Sequence, residues 1–253
     1  MDKNKYPTTG LDQKDRYHKM NKYSYLIAGN GRLSKHFQHY FNSIGVSYRV
    51  WSRNSDLDFN ELAESASRVL VLIKDDEIES FIKKNKTGEI KNKIWIHCSG
   101  ILTTPHAESA HPLMTFGNDL YDLDTYRNLT FITEKERLPL KVLFPELENR
   151  SYSIPSQLKN LYHAWCVMAG NFTTILWYNF FSTLKGTFEI PSEAAHHYLK
   201  KITDNLIADS TSALTGPFVR NDFDVINKHL LALENESFLK IYKSFLCVYE
   251  EKT

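Results

Sequence analysis

The first half of the chain alternates short runs of β-branched and aromatic residues with segments of helical spacing. The first such run is Tyr23–Ala28, which reads YSYLIA. Apolar positions between residues 33 and 44 then recur on one helical face. This alternation predicts βαβ units and a parallel sheet. Further strands are predicted at 48–52, 68–73, 93–98 and 128–133.

The pattern changes after residue 155. Pro155 and Ser156 mark a helix start, and apolar residues at helical spacing follow almost to the C-terminus. Helices are predicted over 156–185, 192–214, 223–233 and 236–250. The fold class is therefore α/β, with a parallel-sheet domain over 23–155 and a smaller all-helical domain over 156–253. We expect residues 1–22, which are polar and charged, to form a mobile tail outside the folded unit.

One predicted helix carries no charge between residues 164 and 184, about the length of a membrane span. Its polar side chains argue against lipid, where each unsatisfied polar group costs several kcal/mol. We expect instead a helix buried in protein, within the C-terminal domain or across a two-fold dimer axis.

Charge and cysteine content narrow the class of protein. The chain has 31 Lys and Arg against 30 Asp and Glu, a net charge of +1, so it lacks the basic character of nucleic-acid or membrane-surface binders. Its three cysteines are far apart, without metal-ligand spacing, which is typical of reduced thiols. Residues 1–22 also lack the apolar stretch of a signal peptide. These features predict a cytoplasmic protein that binds no metal, nucleic acid or membrane.

The first strand runs directly into a glycine loop, GNGRLS at residues 29–34, where a helix begins. A first glycine permits a tight turn, a second lets the backbone approach a pyrophosphate, and the helix N-terminus supplies N–H groups and partial positive charge. Ser34 replaces the usual third glycine or alanine but is still small. The context of strand, loop and helix predicts a dinucleotide site. Its expected cofactor-binding residues are Gly29, Asn30, Gly31, Arg32 and Leu33.

The end of the second strand indicates which dinucleotide is bound. NAD-preferring sites place an acid there for the ribose hydroxyls, but this chain has no acid before Asp56. Arg53 can pair with a 2′-phosphate, and Ser52 can donate a hydrogen bond to it. We therefore predict NADP(H) as the cofactor, with Ser52 and Arg53 in the site.

Several strings resemble one family. They are the GNGRLS loop, IHCSG at 96–100, HPLMTF at 111–116, YHA at 162–164 together with Asn171, and ALTGP at 213–217. The chain resembles Rossmann-like proteins whose second half was long catalogued as a domain of unknown function, some of which are alternative ketopantoate reductases of the PanG type. The usual Arg-Gly-Asp after ALTGP is Arg220-Asn221-Asp222 here. The resemblance implies a Rossmann-type fold and an NADPH-dependent reductase. The wider superfamily includes 3-hydroxyacid dehydrogenases and pyrroline-5-carboxylate reductases.

Carbonyl reduction needs a proton donor, hydrogen bonds to the carbonyl and a place for the rest of the substrate. Ser99 and Gly100 follow the fourth strand, where ligands bind in parallel sheets, so we expect them to contact substrate. His111, which follows a loop of small and polar residues, is one expected catalytic residue. The other is His163 on the long helix, since histidine suits acid–base work near neutral pH.

The resemblance adds Asn171 as a third catalytic residue. In the ketopantoate reductases this helix carries a substrate-facing asparagine with a lysine four residues before it; Asn171 matches the asparagine, but the lysine position is Val167. His163 lies eight residues before Asn171, about 12 Å along a helix. Thus His163, His111 or a bound water is left to supply the proton.

Three functions stay open. The first is NADPH-dependent reduction of a small 2-oxo acid, with ketopantoate preferred, by a homodimer. The second is imine reduction of the pyrroline-5-carboxylate reductase type, which does not need a strong acid. The third is a non-catalytic NADP-binding protein, favoured by the missing lysine.

Overall fold

The computed structural model describes residues 23–251; the predicted tail, 1–22, lies outside them. Seven strands form one sheet. Their bounds are β1 Tyr23–Ala28, β2 Tyr48–Trp51, β3 Ala66–Val71, β4 Ile94–His97, β5 Glu108–Pro112, β6 Thr130–Glu134 and β7 Arg150–Ile154.

The strand order across the sheet is β2-β1-β3-β4-β5-β6-β7. All neighbouring strands are parallel except β5 and β6, which are antiparallel. The chain therefore forms the predicted Rossmann-type sheet, in which the carboxyl ends of β1 to β4 lie along the same edge.

Ten α-helices are found among residues 23–251. Their bounds are α1 Arg32–Ser43, α2 Phe59–Ser65, α3 Asp75–Asn85, α4 Leu123–Arg127, α5 Leu140–Leu143, α6 Lys159–Val167, α7 Thr173–Gly186, α8 His196–Ala208, α9 Phe223–Ala232 and α10 Leu239–Glu250. A π-helical segment, Met168–Phe172, joins α6 to α7, so one helical stretch runs from 159 to 186.

The sheet has a hydrophobic core on each face. Alternate residues of β1 supply the two cores: Tyr25 and Ile27 pack in one, Leu26 and Ala28 in the other. Strands β3 and β4 follow the same rule. This double burial explains why these strands read as continuous apolar runs in the sequence.

Two strands were not predicted. Strand β5 reads ESAHP and β7 reads RSYSI, and neither has the apolar run or regular alternation that predicts a strand. Both segments pair with β6, and the backbone hydrogen bonds of this pairing make them strands although their composition does not predict it. The prediction that His111 follows a loop was therefore wrong, because His111 lies within β5.

The chain divides into two compact units, the first ending at Thr174 and the second beginning at Ile175. This division falls later than residue 155, where the composition changes from sheet to helix. Helix α6 and the π segment thus belong with the sheet.

The uncharged helical stretch is more exposed than predicted. Among apolar residues of α6 and α7, Leu184 is buried, whereas Trp165 and Tyr178 are 60% and 70% exposed. The single chain therefore does not cover this helix on every side. No helix within residues 23–251 is long and apolar enough to cross a membrane.

Candidate functional site

The glycine loop between β1 and α1 is fixed by local contacts. Gly29 has φ +125°, a conformation that residues with a side chain rarely adopt. A Cβ built on Gly29 would overlap the Leu72 carbonyl oxygen of the neighbouring strand end. The Ser34 hydroxyl donates a 2.8 Å hydrogen bond to the Gly29 carbonyl oxygen, which holds the turn against the helix. Glycine is therefore required at position 29 by the fold itself.

Gly31 has a different role, because it is the N-cap of α1 and has an ordinary φ of −78°. Apart from Gly31 itself and its two chain neighbours, no protein atom lies within 4 Å of a Cβ built at this position. The space in front of Gly31 is thus open, and the unpaired N–H groups of the first helical turn face it. An anion such as a pyrophosphate fits this position.

A cleft of about 940 Å³ extends from this loop along the carboxyl edge of the sheet. Its size is at the upper end of the range for cofactor sites. All seven residues predicted to bind the cofactor line it, as does the predicted substrate residue Ser99: Gly29, Asn30, Gly31, Arg32, Leu33, Ser52, Arg53 and Ser99.

Helix α3 forms a wall of this cleft that the sequence reasoning missed. Glu77, Ser80 and Lys84 line it from this helix. A signal for them was present, since α3 begins four residues after β3 and therefore starts at the same sheet edge. These side chains add both signs of charge to the lining of the cleft, and Glu77 lies beside Arg53.

Arg53 is 81% exposed, and its Nη2 lies 4.0 Å from Oε2 of Glu77. An exposed pair at this distance is weak, because water screens it. The guanidinium is therefore available to a stronger anion, such as a phosphate that accepts two parallel hydrogen bonds.

The other end of the cleft is formed by Cys98 and Ser99, just after β4. The Ser99 hydroxyl donates a 2.6 Å hydrogen bond to Oδ2 of Asp75 and accepts from the Leu102 N–H. The Ser99 N–H donates to Nδ1 of His97, a fully buried residue whose pKa burial lowers to about 3. Ser99 is thus held rigidly, and its hydroxyl proton is engaged by Asp75.

Three predicted site residues meet next to Ser99. A Cβ built on Gly100 would overlap Cδ2 of His163 and would lie 3.0 Å from Nε2 of His111. The two imidazole rings are 5.7 Å apart between centroids and nearly perpendicular. Gly100, His111 and His163 therefore form one cluster beside the cleft end. We call His111 and His163 the histidine pair.

The electrostatics of His111 differ from those of a free histidine. Burial, together with the nearby His163 and Lys159, lowers the pKa of His111 to about 4. His111 is consequently neutral at pH 7 and carries a proton on one ring nitrogen. Its Nδ1 lies 2.8 Å from the hydroxyl oxygen of Tyr162.

Helix α6, which carries His163 and Tyr162, is fixed to the sheet by a buried ion pair. The Lys159 ammonium donates to Oε1 of Glu134 at 2.7 Å, to Oγ of Ser109 at 2.9 Å and to the Leu102 carbonyl oxygen. Burial lowers the pKa of Lys159, and the pairing with Glu134 opposes that shift. Removing one partner of such a pair typically costs about 3–5 kcal/mol. The pair therefore connects the first residue of α6 to β6 of the sheet.

Asn171 lies apart from the histidine pair. It is exposed and falls in the π-helical segment. Segments of this kind frequently occur at functional sites. Among the described residues, no hydrogen bond joins Asn171 to either histidine. The described residues also contain no group of three or more His, Cys, Asp or Glu side chains that could hold a metal ion.

A comparison with protein families finds a match in the second half of the chain, from β6 into α10. Residues 129–246 match the family described as "Domain of unknown function (DUF2520)". No curated protein matches the sequence.

Solved structures resemble the chain over most of its length. Protein BF3122 from Bacteroides fragilis, which has been proposed to be an NADP oxidoreductase, is 20% identical with a TM-score of 0.72, covering 91% of this chain and 98% of that one. Protein TM1727 from Thermotoga maritima is 21% identical with a TM-score of 0.65, covering 90% and 97%. Pyrroline carboxylate reductase from Plasmodium falciparum, with NADP bound, is 14% identical with a TM-score of 0.56, covering 91% and 97%. At these identities the comparisons show the fold, a Rossmann-type sheet domain followed by helices.

Proposed function

We propose that this chain is an NADPH-dependent reductase of a small 2-oxo acid. The observation that carries the proposal is the position of His111 and His163, which meet at Gly100 beside the cleft end formed by Ser99. A carbonyl carbon at that end would have hydrogen-bond donors beside its oxygen, as reduction requires.

NADP(H) is the cofactor we propose for the cleft. The open space at Gly31 and the α1 N-terminus fit a pyrophosphate, and Arg53 with Ser52 fits a 2′-phosphate. When bound, the cofactor would supply hydride to the carbonyl carbon. The chain's own residues would hold the cofactor, orient the carbonyl and provide a proton.

His111 and His163 are proposed to act on the carbonyl oxygen in different ways. Because His111 is neutral at pH 7, it can donate a hydrogen bond but cannot release a proton without leaving an unfavourable anion. We propose that His163 supplies the proton to the developing alkoxide, since histidine is the side chain most often used as a general acid or base. Asn171 is proposed to orient the substrate from the adjacent helical segment.

Ketopantoate is the substrate we favour, on the family resemblance alone. The alternative is reduction of a cyclic imine, which the fold similarity to the Plasmodium falciparum pyrroline carboxylate reductase supports. A third function, NADP binding without catalysis, is supported by Val167 at the position where relatives carry lysine.

The test is NADPH oxidation with ketopantoate, other 2-oxo acids and a cyclic imine such as pyrroline-5-carboxylate. We expect turnover with an oxo acid, and His163→Gln should lower kcat by about 10²–10⁴ while NADPH binding stays intact. His197→Gln is the matched control, because His197 is an exposed histidine of the second unit. Turnover of the imine alone would show that the protein is an imine reductase. If no substrate is turned over, the non-catalytic NADP-binding function would be favoured.

We also propose that residues 156–253 form the substrate-binding and dimerisation domain of a cytoplasmic homodimer. Large apolar side chains on the helices are exposed in the single chain, among them Ile207 at 80% and Leu231 at 72%. Exposed apolar surface of this extent typically marks an interface, and a two-fold axis lets the same surface cover itself. The free cysteines suit a reducing compartment.

A further inference from the structure

Tyr162, on α6, contacts His111, one of the two histidines proposed to act on the substrate. Its hydroxyl lies 2.8 Å from Nδ1 of His111 and also hydrogen-bonds with the thiol of Cys166, one helical turn further on. The rings of Tyr162 and His111 meet edge to face, with centroids 5.6 Å apart. The hydroxyl proton therefore has two possible acceptors, an imidazole nitrogen and a sulfur.

The chemistry of the acceptors decides between them. Sulfur is a weak hydrogen-bond acceptor and the thiol a weak donor, whereas an unprotonated imidazole nitrogen is a good acceptor. The Tyr162 proton therefore points to Nδ1 of His111, and the Cys166 thiol can donate to the Tyr162 oxygen. Burial, then Cys166, raises the pKa of the Tyr162 hydroxyl, which keeps it protonated and able to donate.

The tautomer of His111 follows from this direction. A neutral imidazole that accepts at Nδ1 must carry its proton on Nε2. The Cδ2–Nε2 edge of the His111 ring faces Gly100, with both atoms 3.0 Å from a Cβ built there, and among residues 23–251 Nε2 makes no hydrogen bond. The ring therefore presents an unused N–H donor at the place where the carbonyl oxygen is proposed to sit. If the proton were on Nδ1, a bare acceptor would face that oxygen and repel it.

We propose that Tyr162 is a positioning residue that holds His111 in the Nε2-protonated form, so that His111 donates a neutral hydrogen bond to the substrate oxygen while His163 supplies the proton. This assignment rests on the proposed function for the identity of the oxygen. The assignment of the His111 tautomer does not depend on the proposed function. The charged and titratable groups around His111 are Tyr162, His163 and Lys159 from α6 and Asp75 from α3.

The experiment is nitrogen-15 NMR of the imidazole side chains at pH 7, with His111 assigned from the signal lost in His111→Gln. In the native protein we expect one His111 N–H, on Nε2. In Tyr162→Phe, which keeps the ring but removes the hydroxyl, we expect a mixture of the two tautomers. Tyr178→Phe is the matched control, since Tyr178 is 70% exposed and should leave the His111 signals unchanged.

Kinetics provide a second readout that a purely structural role would not move. Tyr162→Phe should lower kcat about tenfold, with the NADPH dissociation constant unchanged, as expected for partial loss of one orienting hydrogen bond. A native His111 protonated on Nδ1, or a Tyr162→Phe variant that keeps the fixed Nε2 form, would overturn the proposal. Because the NMR measurement needs no substrate, it gives its answer even if no oxo acid is turned over.

Discussion

At Gly100 the absence of a side chain makes room for two imidazole rings. His111 arrives from β5 and His163 from α6, and a methyl group on residue 100 would collide with His163. The parallel register of β4 and β5 pairs His97 with Ser109, so Gly100 and His111 lie at similar heights beyond that pair. Gly100, predicted to contact substrate directly, is thus also a spacer for the residues proposed to act on it.

We propose that single residues at the opposite end of the cleft determine which cofactor is preferred. We predict that NADPH binds at least tenfold tighter than NADH, about 1.4 kcal/mol, and that Arg53→Glu removes this preference by repelling the 2′-phosphate. Removing the competing acid in Glu77→Gln should tighten NADPH binding, because Arg53 then has no carboxylate partner at 4.0 Å. Fluorescence titration with both cofactors measures each change.

The control for this prediction is Arg49→Glu, which alters the charge equally at an exposed arginine of β2 outside the cleft. Its cofactor preference should stay native. Equal affinity of the native protein for NADPH and NADH would contradict the assignment of Arg53.

At the scale of elements, the two glycines in the turn from β1 into α1 have different roles, although both belong to the same glycine loop. Gly29 is required by backbone conformation and by the closeness of the next strand end, whereas Gly31 is required by nothing in the protein itself. We therefore expect an added methyl group to lower the stability of the protein at Gly29 and to weaken NADPH binding at Gly31.

We predict that Gly29→Ala lowers the free energy of unfolding by about 1–3 kcal/mol, because it adds strain at positive φ and an overlap with the Leu72 carbonyl. Gly31→Ala should unfold like the native protein but bind NADPH at least tenfold more weakly, since its methyl occupies the space proposed for the pyrophosphate. Urea unfolding and NADPH titration of the same two variants measure both effects. Native NADPH affinity in Gly31→Ala would disprove the placement of the cofactor on this loop.

At the scale of the whole molecule, the helices following the sheet expose apolar side chains that a folded monomer normally covers. The sequence predicted that the uncharged helix at residues 164–184 is covered by protein on every side. Within one chain, part of that helix is exposed. A second copy of the chain is the cover we propose.

We predict that the native protein sediments as a dimer and that Ile207→Glu shifts it toward monomer, because a carboxylate in an apolar interface is costly to desolvate. Leu57→Glu serves as the control, since Leu57 is a 53%-exposed leucine of the first unit. Sedimentation velocity at several concentrations distinguishes the two species. A native protein that stays monomeric at high concentration would refute the dimer.

The sequence by itself determined the features that depend on a few neighbouring residues. Local periodicity and backbone preference encode the strands buried on both faces, the glycine loop at 29–34 and the helix that begins within that loop. The structure contains these elements within one or two residues of their predicted bounds. Strands β5 and β7 were beyond local reasoning, because short polar segments become strands only when a partner strand supplies their hydrogen bonds.

Only the tertiary structure decided how the candidate site is assembled. The meeting of Gly100, His111 and His163 depends on the β4–β5 register and on the position of α6, whose first residue forms the buried Lys159–Glu134 pair. The lining of the cleft by α3 depends likewise on packing. These contacts join residues far apart in the chain. Neither periodicity nor motif spacing in the sequence predicts which of such residues meet.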